Sequence, residues 1–151
     1  MGRIIRYRHK GCSFSYDFKE GAGFKDFSRT CDSRKQMRAR QWGERWKALI
    51  EQYPDGTGVV ERALCYCQEC KEYCTESRKT FYIPKEGSKF EYDESDMVPP
   101  HLIGDYFEVL EEETILCPKC NKETKPMENL RKVPCGKCGQ MSEWKVVGYW
   151  D

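Results

Sequence analysis

The spacing of ten cysteines constrains this 151-residue chain more than any other feature of its sequence. Two pairs, Cys117/Cys120 and Cys135/Cys138, have the C-x2-C spacing of a zinc knuckle, a tight turn that directs two thiolates at one ion. Fourteen residues separate the pairs, close to the roughly fifteen to twenty found between the halves of many zinc sites. We therefore predict one zinc ion bound by these four cysteines, in preference to free thiols or two disulfides.

A third pair with this spacing, Cys67/Cys70, needs a partner elsewhere in the chain. The segment His9-Lys-Gly-Cys12 supplies an imidazole and a thiol separated by the same two residues, directly after the strand-like residues 3–8. Three thiolates and one imidazole are an ordinary structural zinc set. We therefore predict a second zinc ion at His9, Cys12, Cys67 and Cys70, which makes two ions per chain.

One alternative remains open for this second site. Zinc would bind instead to a local cluster of Cys65, Cys67, Cys70 and Cys74, and His9 would then be a surface residue. In the main interpretation Cys65, Cys74 and Cys31 lie outside both metal sites.

Longer stretches carry a resemblance that spans nearly the whole chain. They are residues 6–24, Cys67-Gln-Glu-Cys70, residues 81–87 and 98–102, Cys117-Pro-Lys-Cys120, residues 134–139 and the terminal Tyr149-Trp-Asp151. The chain resembles small, largely uncharacterised double zinc-ribbon proteins of bacteria and archaea, which begin with C-x-x-C-G-Y, an aromatic strand and an E-G-x-G-F turn. It departs from them at His9, where the family has a cysteine, and at Ser13, where it has a glycine. The resemblance implies a fold and metal positions, but no reaction.

Apolar periodicity predicts short strands and one helix. Phe14, Tyr16 and Phe18 alternate as in a half-buried strand that forms a hairpin with residues 3–8. Trp42 and Trp46 recur at helical intervals, and we interpret them as core residues of an amphipathic helix.

The predicted fold class is α+β, with two zinc ribbons built of short antiparallel strands. Residues 1–85 form a discontinuous N-terminal ribbon into which helix 33–53 is inserted. Residues 86–105 form an acidic linker, and residues 106–151 form the C-terminal ribbon.

The formal net charge of +1 conceals two segments of opposite sign. Residues 25–50 contain eight Lys or Arg and three Asp or Glu, whereas residues 86–115 contain ten acidic residues and one lysine. The basic helix face, with Arg34, Lys35, Arg38 and Arg45, would contact nucleic-acid phosphates without reading sequence, or would be a solvated surface. The acidic segment would be a linker, an intramolecular partner of that helix, or a docking surface for a basic protein.

These observations favour a structural zinc-binding module that acts as a protein-interaction adaptor or as a regulator of a larger assembly. The alternative function is non-sequence-specific nucleic-acid binding through the basic helix face. We expect no enzyme and no small-molecule substrate, because both sites are closed by four side chains and no catalytic motif is present. No run of residues approaches the roughly 18–20 apolar residues of a membrane span, and the N-terminus lacks a secretory signal, so we expect a cytoplasmic protein.

Overall fold

The strands of the chain form two mainly antiparallel sheets in a computed structural model that describes residues 2–21 and 31–151. This arrangement confirms the predicted α+β class. The strands are β1 (Gly2–His9), β2 (Phe14–Glu20), β3 (Thr57–Cys67), β4 (Glu72–Pro84), β5 (Phe107–Glu112), β6 (Ile115–Leu116), β7 (Glu123–Pro126) and β8 (Glu143–Trp150). The described α-helices are α1 (Ser33–Arg38), α2 (Glu44–Gln52) and α3 (Pro100–Tyr106). No helix in the described residues has the length and apolar character needed to cross a membrane.

The first sheet has three strands in the order β2-β1-β8. The predicted hairpin of β1 and β2 is confirmed, and its register places Ile5 opposite Phe18. Alternate residues of β1 point to one face, where Ile5 and Tyr7 are buried with Phe18, Leu64 and Val133. The hydroxyl group of Tyr7 satisfies its burial by donating a hydrogen bond of 2.8 Å to the carbonyl oxygen of Leu130.

The second sheet has five strands in the order β5-β4-β3-β7-β6. Strand β7 pairs with the end of β3, where Tyr66 lies opposite Lys125, and with β6 on its other side. Strand β5 pairs with Thr80–Pro84 of β4.

Contacts divide the chain into two compact units. Unit 1 contains Met1–Phe24, Glu61–Arg78 and Thr114–Asp151, and unit 2 contains Lys25–Val60 and Lys79–Glu113. This division differs from the predicted boundaries at 85 and 106, because β8 pairs with β1 and β5 pairs with β4. Residues 22–24 of the stretch that carries the resemblance, and residues 25–30 of the basic segment, lie outside the described residues.

The prediction of one helix over residues 33–53 is wrong, because that segment forms two helices, α1 and α2. Between them Arg40 (φ 65°) and Gly43 (φ 98°) adopt left-handed backbone conformations, which a right-handed helix does not contain. Trp42 lies in this break and meets Trp46 edge-on at 5.8 Å between ring centroids. Both indoles are buried in the apolar core of unit 2 with Phe81, as the sequence predicts for core residues.

The segment predicted as an acidic linker, residues 86–105, is a packed part of unit 2. It contains most of α3, and Val98 is buried. The Phe90 ring lies between 5.0 and 5.7 Å from the rings of Tyr92, Tyr106 and Phe107. These aromatic contacts bury apolar surface within a segment whose sequence is rich in charged residues.

Candidate metal centres

The eight predicted ligand residues lie in two groups of four, but the knuckles pair differently from the prediction. His9 and Cys12 lie with Cys135 and Cys138, and this group is called the histidine cluster below. Cys67 and Cys70 lie with Cys117 and Cys120, and this group is called the cysteine cluster. Within each group the four donor atoms lie within 4.8 Å of one another. The predicted pairings of Cys12 with Cys67 and of Cys117 with Cys135 are therefore wrong.

The first and last knuckles of the chain form the histidine cluster, and the two middle knuckles form the cysteine cluster, so the arrangement is nested in sequence. Strand pairing explains the histidine cluster. His9 is the last residue of β1, and its neighbour Arg8 lies opposite Glu143, the first residue of β8. The knuckle that precedes β8 is therefore brought to the knuckle that follows β1.

The same argument holds for the cysteine cluster. Cys67 is the last residue of β3, and its neighbour Tyr66 lies opposite Lys125 in β7, just after the knuckle that ends at Cys120. Spacing along the chain did not reveal either pairing, because the entropy of closing a loop rises only slowly with its length.

The distances between donor atoms fit a tetrahedral ion. Sulfur atoms at about 2.3 Å from one zinc ion lie about 3.8 Å apart in a tetrahedral site. In the cysteine cluster the Sγ atoms of Cys67 and Cys120 are 3.5 Å apart, and those of Cys117 and Cys70 are 3.9 Å apart. In the histidine cluster Cys138 Sγ lies 3.3 Å from His9 Nδ1. Both donor sets are therefore arranged for one metal ion each.

The four knuckles share one backbone conformation. The residue that follows the second ligand has a positive φ in each of them: Ser13 (53°), Lys71 (52°), Asn121 (60°) and Gly139 (74°). The N–H group of each donates a hydrogen bond back to the turn, for example Gly139 to the carbonyl oxygen of Cys135 at 2.9 Å. Asparagine and glycine tolerate a positive φ, so the residue types at Asn121 and Gly139 favour this conformation, whereas serine and lysine at the other two positions do not.

The backbone of a knuckle stabilises a thiolate in the cysteine cluster. The N–H groups of Cys120 and Lys119 lower the pKa of Cys117 to about 7. The hydrogen bond with Cys120 raises the pKa of Cys70 to about 12, so Cys70 keeps its proton until a metal ion displaces it.

The histidine cluster likewise has one thiol with a lowered pKa and one with a raised pKa. Burial opposes ionisation of Cys135, but the N–H groups of Cys138 and Lys137 outweigh it and lower the pKa of Cys135 to about 6. The hydrogen bond with Cys138 raises the pKa of Cys12 to about 11. Each cluster thus contains one thiol that is at least about half ionised at neutral pH and can start metal binding.

The two clusters differ in the charges around them. Two ion pairs join the knuckles of the cysteine cluster, Lys119 with Glu72 and Lys122 with Glu69, the latter at 2.8 Å. The histidine cluster has a lysine in each knuckle, Lys10 and Lys137, and Cys138 is exposed. The cysteine cluster is therefore the more shielded of the two.

The remaining cysteines lie outside both clusters. Cys65 is fully buried in a small apolar core with Ala63 and Ile115, and Cys74 packs against that core. Burial raises the pKa of Cys65 and, to about 11, that of Cys74. The alternative cluster of four local cysteines does not form, because these two side chains pack in the core.

The proposed nucleic-acid face on the helix is occupied by intramolecular partners. Arg34 is buried, with Nε 2.8 Å from Asp96, and it donates a further hydrogen bond to the carbonyl oxygen of Gly56. Its guanidinium group lies 3.6 Å from the centroid of the Tyr92 ring. Arg38 contacts the second oxygen of Asp96 at 2.7 Å.

Arg45 pairs with Glu111, and only Lys35 of the four predicted residues is exposed without an ion pair in the described part of the chain. Of the three sequence alternatives for the acidic segment, the intramolecular partner of the helix is therefore the one the structure contains.

Comparisons with protein-family models, with curated proteins and with solved structures yield no match to this chain. The assignment of a role therefore depends on the geometry of the two clusters and on the surfaces around them.

Proposed function

We propose that the protein is a structural zinc-binding module that serves as a protein-interaction adaptor. The observation that carries this proposal is the presence of two separate sets of four Cys/His donors, each gathered within 4.8 Å. Sets rich in thiolate favour zinc over harder ions such as magnesium and calcium, which prefer oxygen. A double zinc ribbon, as the sequence resemblance implies, would likewise hold two ions, although the knuckles pair differently from the predicted ribbons.

The ions would be structural and not catalytic. A catalytic zinc site usually has three protein ligands and leaves one position for water, whereas each set here supplies four. Each ion would tie together distant parts of the chain, with 122 residues between Cys12 and Cys135 and 46 between Cys70 and Cys117. Zinc binding would therefore contribute directly to the folding of unit 1.

The adaptor part of the proposal is supported by the exposed surface of β8. Among the strands of the described residues, β8 pairs with β1 alone and is at the edge of its sheet. Val147 and Tyr149 are 38% and 68% exposed, and Trp144 is 40% exposed. An edge strand with apolar side chains is the surface to which an extended segment of a partner protein adds as a further strand.

Metal content tests the zinc part of the proposal. Elemental analysis of protein purified without added metal should give two zinc ions per chain, and removing zinc with a strong chelator should unfold unit 1. One tightly held ion, or retention of the fold after both ions are removed, would contradict a structural role for the two sites.

Variants of β8 test the adaptor part. Cross-linking in cell extract followed by mass spectrometry should identify a partner that is lost in a Val147→Ser/Tyr149→Ser variant. Val109→Ser is the matched control, because Val109 is 50% exposed on the edge strand β5. A partner profile identical in all three proteins would exclude β8 as the docking strand.

A further inference from the structure

A groove beside the histidine cluster combines aromatic rings with unpaired positive charge. It has a volume of about 420 Å³ and is called the tyrosine groove here. Tyr66, Tyr73 and Met127 form its apolar part, and Cys135, Gly136, Lys137 and Gly139 of the adjoining knuckle also line it. A space of this size accommodates one aromatic base with its sugar and phosphate.

Three lysines, Lys71, Lys125 and Lys137, line the groove, and none of its lining residues is a carboxylate. No acidic side chain in the described part of the chain lies within ion-pair distance of any of the three. By contrast, Lys119 and Lys122 of the same unit are paired with glutamates. The groove therefore has positive charge that the fold has not neutralised, which favours a ligand with more than one negative group.

The two tyrosines are placed to contact a planar ligand. Their ring centroids are 5.0 Å apart, with 58° between the ring planes. Tyr73 is fixed by a hydrogen bond of 2.6 Å to the carbonyl oxygen of Pro134 and by the Phe14 ring at 5.8 Å. Tyr66 lies directly opposite Lys125 on the paired strands, so the two side chains leave the same face of the sheet.

A second pocket, of about 230 Å³, lies close to the other knuckle of the same cluster. Arg8, Lys10, Lys145 and the partly exposed ring of Trp144 line this pocket, called the Trp144 pocket here. Glu143 and Arg6, which pairs with Asp17, also contribute to it. Lys10 belongs to the knuckle His9–Cys12, whose donors meet those of the knuckle that contains Lys137. The two pockets thus flank a single metal cluster, and each combines an aromatic ring with several cations.

The charge of unit 1 as a whole agrees with this local pattern. It contains 15 Lys or Arg and 10 Asp or Glu, a formal net charge of +5, whereas unit 2 contains 11 and 15, a formal net charge of −4. Two zinc ions bound by seven thiolates and one neutral histidine would lower the charge of unit 1 to about +2. It remains the basic unit.

We propose that unit 1 binds single-stranded nucleic acid through the tyrosine groove and the Trp144 pocket. Bases would stack on the aromatic rings while the lysines contact phosphates, the combination typical of sequence-tolerant single-strand binding. A duplex keeps its bases stacked inside and offers no free base to these rings. An acidic peptide carries the negative charge but lacks an aromatic ring at each repeat that could stack on these side chains. This surface is distinct from the helix face that the sequence suggested.

The test uses full-length protein loaded with two zinc ions and a fluorescein-labelled 12-nucleotide oligothymidylate, with binding followed by anisotropy. We expect saturable binding at 50 mM salt that weakens steeply as salt rises. Changing Lys71, Lys125 and Lys137 together to Gln should lower the slope of log affinity against log salt by about 2, at roughly 0.7 per lost phosphate contact. Tyr66→Ala should weaken binding about tenfold, and Tyr66→Phe should restore it to within about twofold.

A matched control removes three charges from unit 2, at Lys35, Lys47 and Lys89, and should leave affinity within about twofold of the parent. Equal losses from the two triple variants would show a general effect of charge and overturn the proposal. If the groove variant loses zinc, Tyr66→Ala and Lys125→Gln decide the test, because neither residue belongs to a knuckle.

Three unlabelled competitors distinguish the class of ligand: a 12-base-pair duplex, thymidine monophosphate and a 12-residue polyglutamate. We expect each to compete at least tenfold more weakly than the oligothymidylate. The proposal is overturned if the oligothymidylate fails to bind at 50 mM salt, or if the duplex or polyglutamate competes as well as it does.

Discussion

Double substitutions distinguish the nested pairing of knuckles from the pairing suggested by sequence spacing. In the structure Cys12 and Cys138 belong to one cluster, while Cys70 belongs to the other. Cys12→Ser/Cys138→Ser therefore removes two donors from one site and leaves the second intact. Cys12→Ser/Cys70→Ser removes one donor from each site.

The expected loss of zinc-binding free energy follows from the number of donors that each site loses. Structural zinc sites bind with roughly 10–16 kcal/mol at neutral pH, which is about 2.5–4 kcal/mol per ligand when it is shared over four donors. Loss of one donor should weaken a site by about two to three orders of magnitude, and loss of two should empty it. A chelator distinguishes these cases if it binds zinc more weakly than an intact site does and more strongly than a site with three donors does.

Native mass spectrometry after equilibration with such a chelator gives the answer. The Cys12→Ser/Cys138→Ser protein should retain one zinc ion, and the Cys12→Ser/Cys70→Ser protein should retain none. The pairing suggested by spacing predicts the reverse, so one ion on the second protein and none on the first would refute the nested arrangement. The parent protein, which should hold two ions under the same conditions, is the control.

Three further changes test other parts of the structure. His9→Ala should reduce zinc content towards one ion per chain while His9→Cys retains two, and chelator titration would contradict a ligand role if the alanine variant behaved as the parent. Asp96→Asn should lower the free energy of unfolding by about 2–4 kcal/mol in denaturant titration, because it leaves the buried Arg34 without a counterion. Burial opposes ionisation of Asp96, but the arginines outweigh it and lower its pKa. The contribution of Asp96 to the free energy of unfolding should therefore be complete above about pH 5, one unit above the ordinary pKa of an aspartate. It should be lost as the pH falls through the lowered pKa, and the Asn variant should lack this acid-dependent loss. Gly136→Ala should lower the melting temperature, since a Cβ there would lie 3.0 Å from the Phe14 ring. An unchanged melting temperature would show that the ring moves aside freely.

The sequence by itself determined which residues are donors. A C-x2-C pair forms its turn locally, so the knuckles at Cys67, Cys117 and Cys135 are visible without a structure, and the same spacing identified His9 with Cys12. Strict alternation likewise predicted the hairpin of β1 and β2. These features depend on residues a few positions apart, for which the sequence pattern is nearly sufficient.

Only the tertiary structure decided which knuckles share an ion and which charges remain available. Knuckle pairing follows from β1 with β8 and β3 with β7, contacts between strands far apart in the chain. The sequence placed Arg34 on a basic helix face, but Asp96, 62 residues away in the chain, pairs with Arg34 and neutralises its charge. No sequence pattern distinguished Lys71 or Lys125 as binding residues, yet both line the tyrosine groove and form no ion pair in the described part of the chain. Local spacing leaves such long-range contacts undetermined, because closing a longer loop costs little more free energy than closing a shorter one.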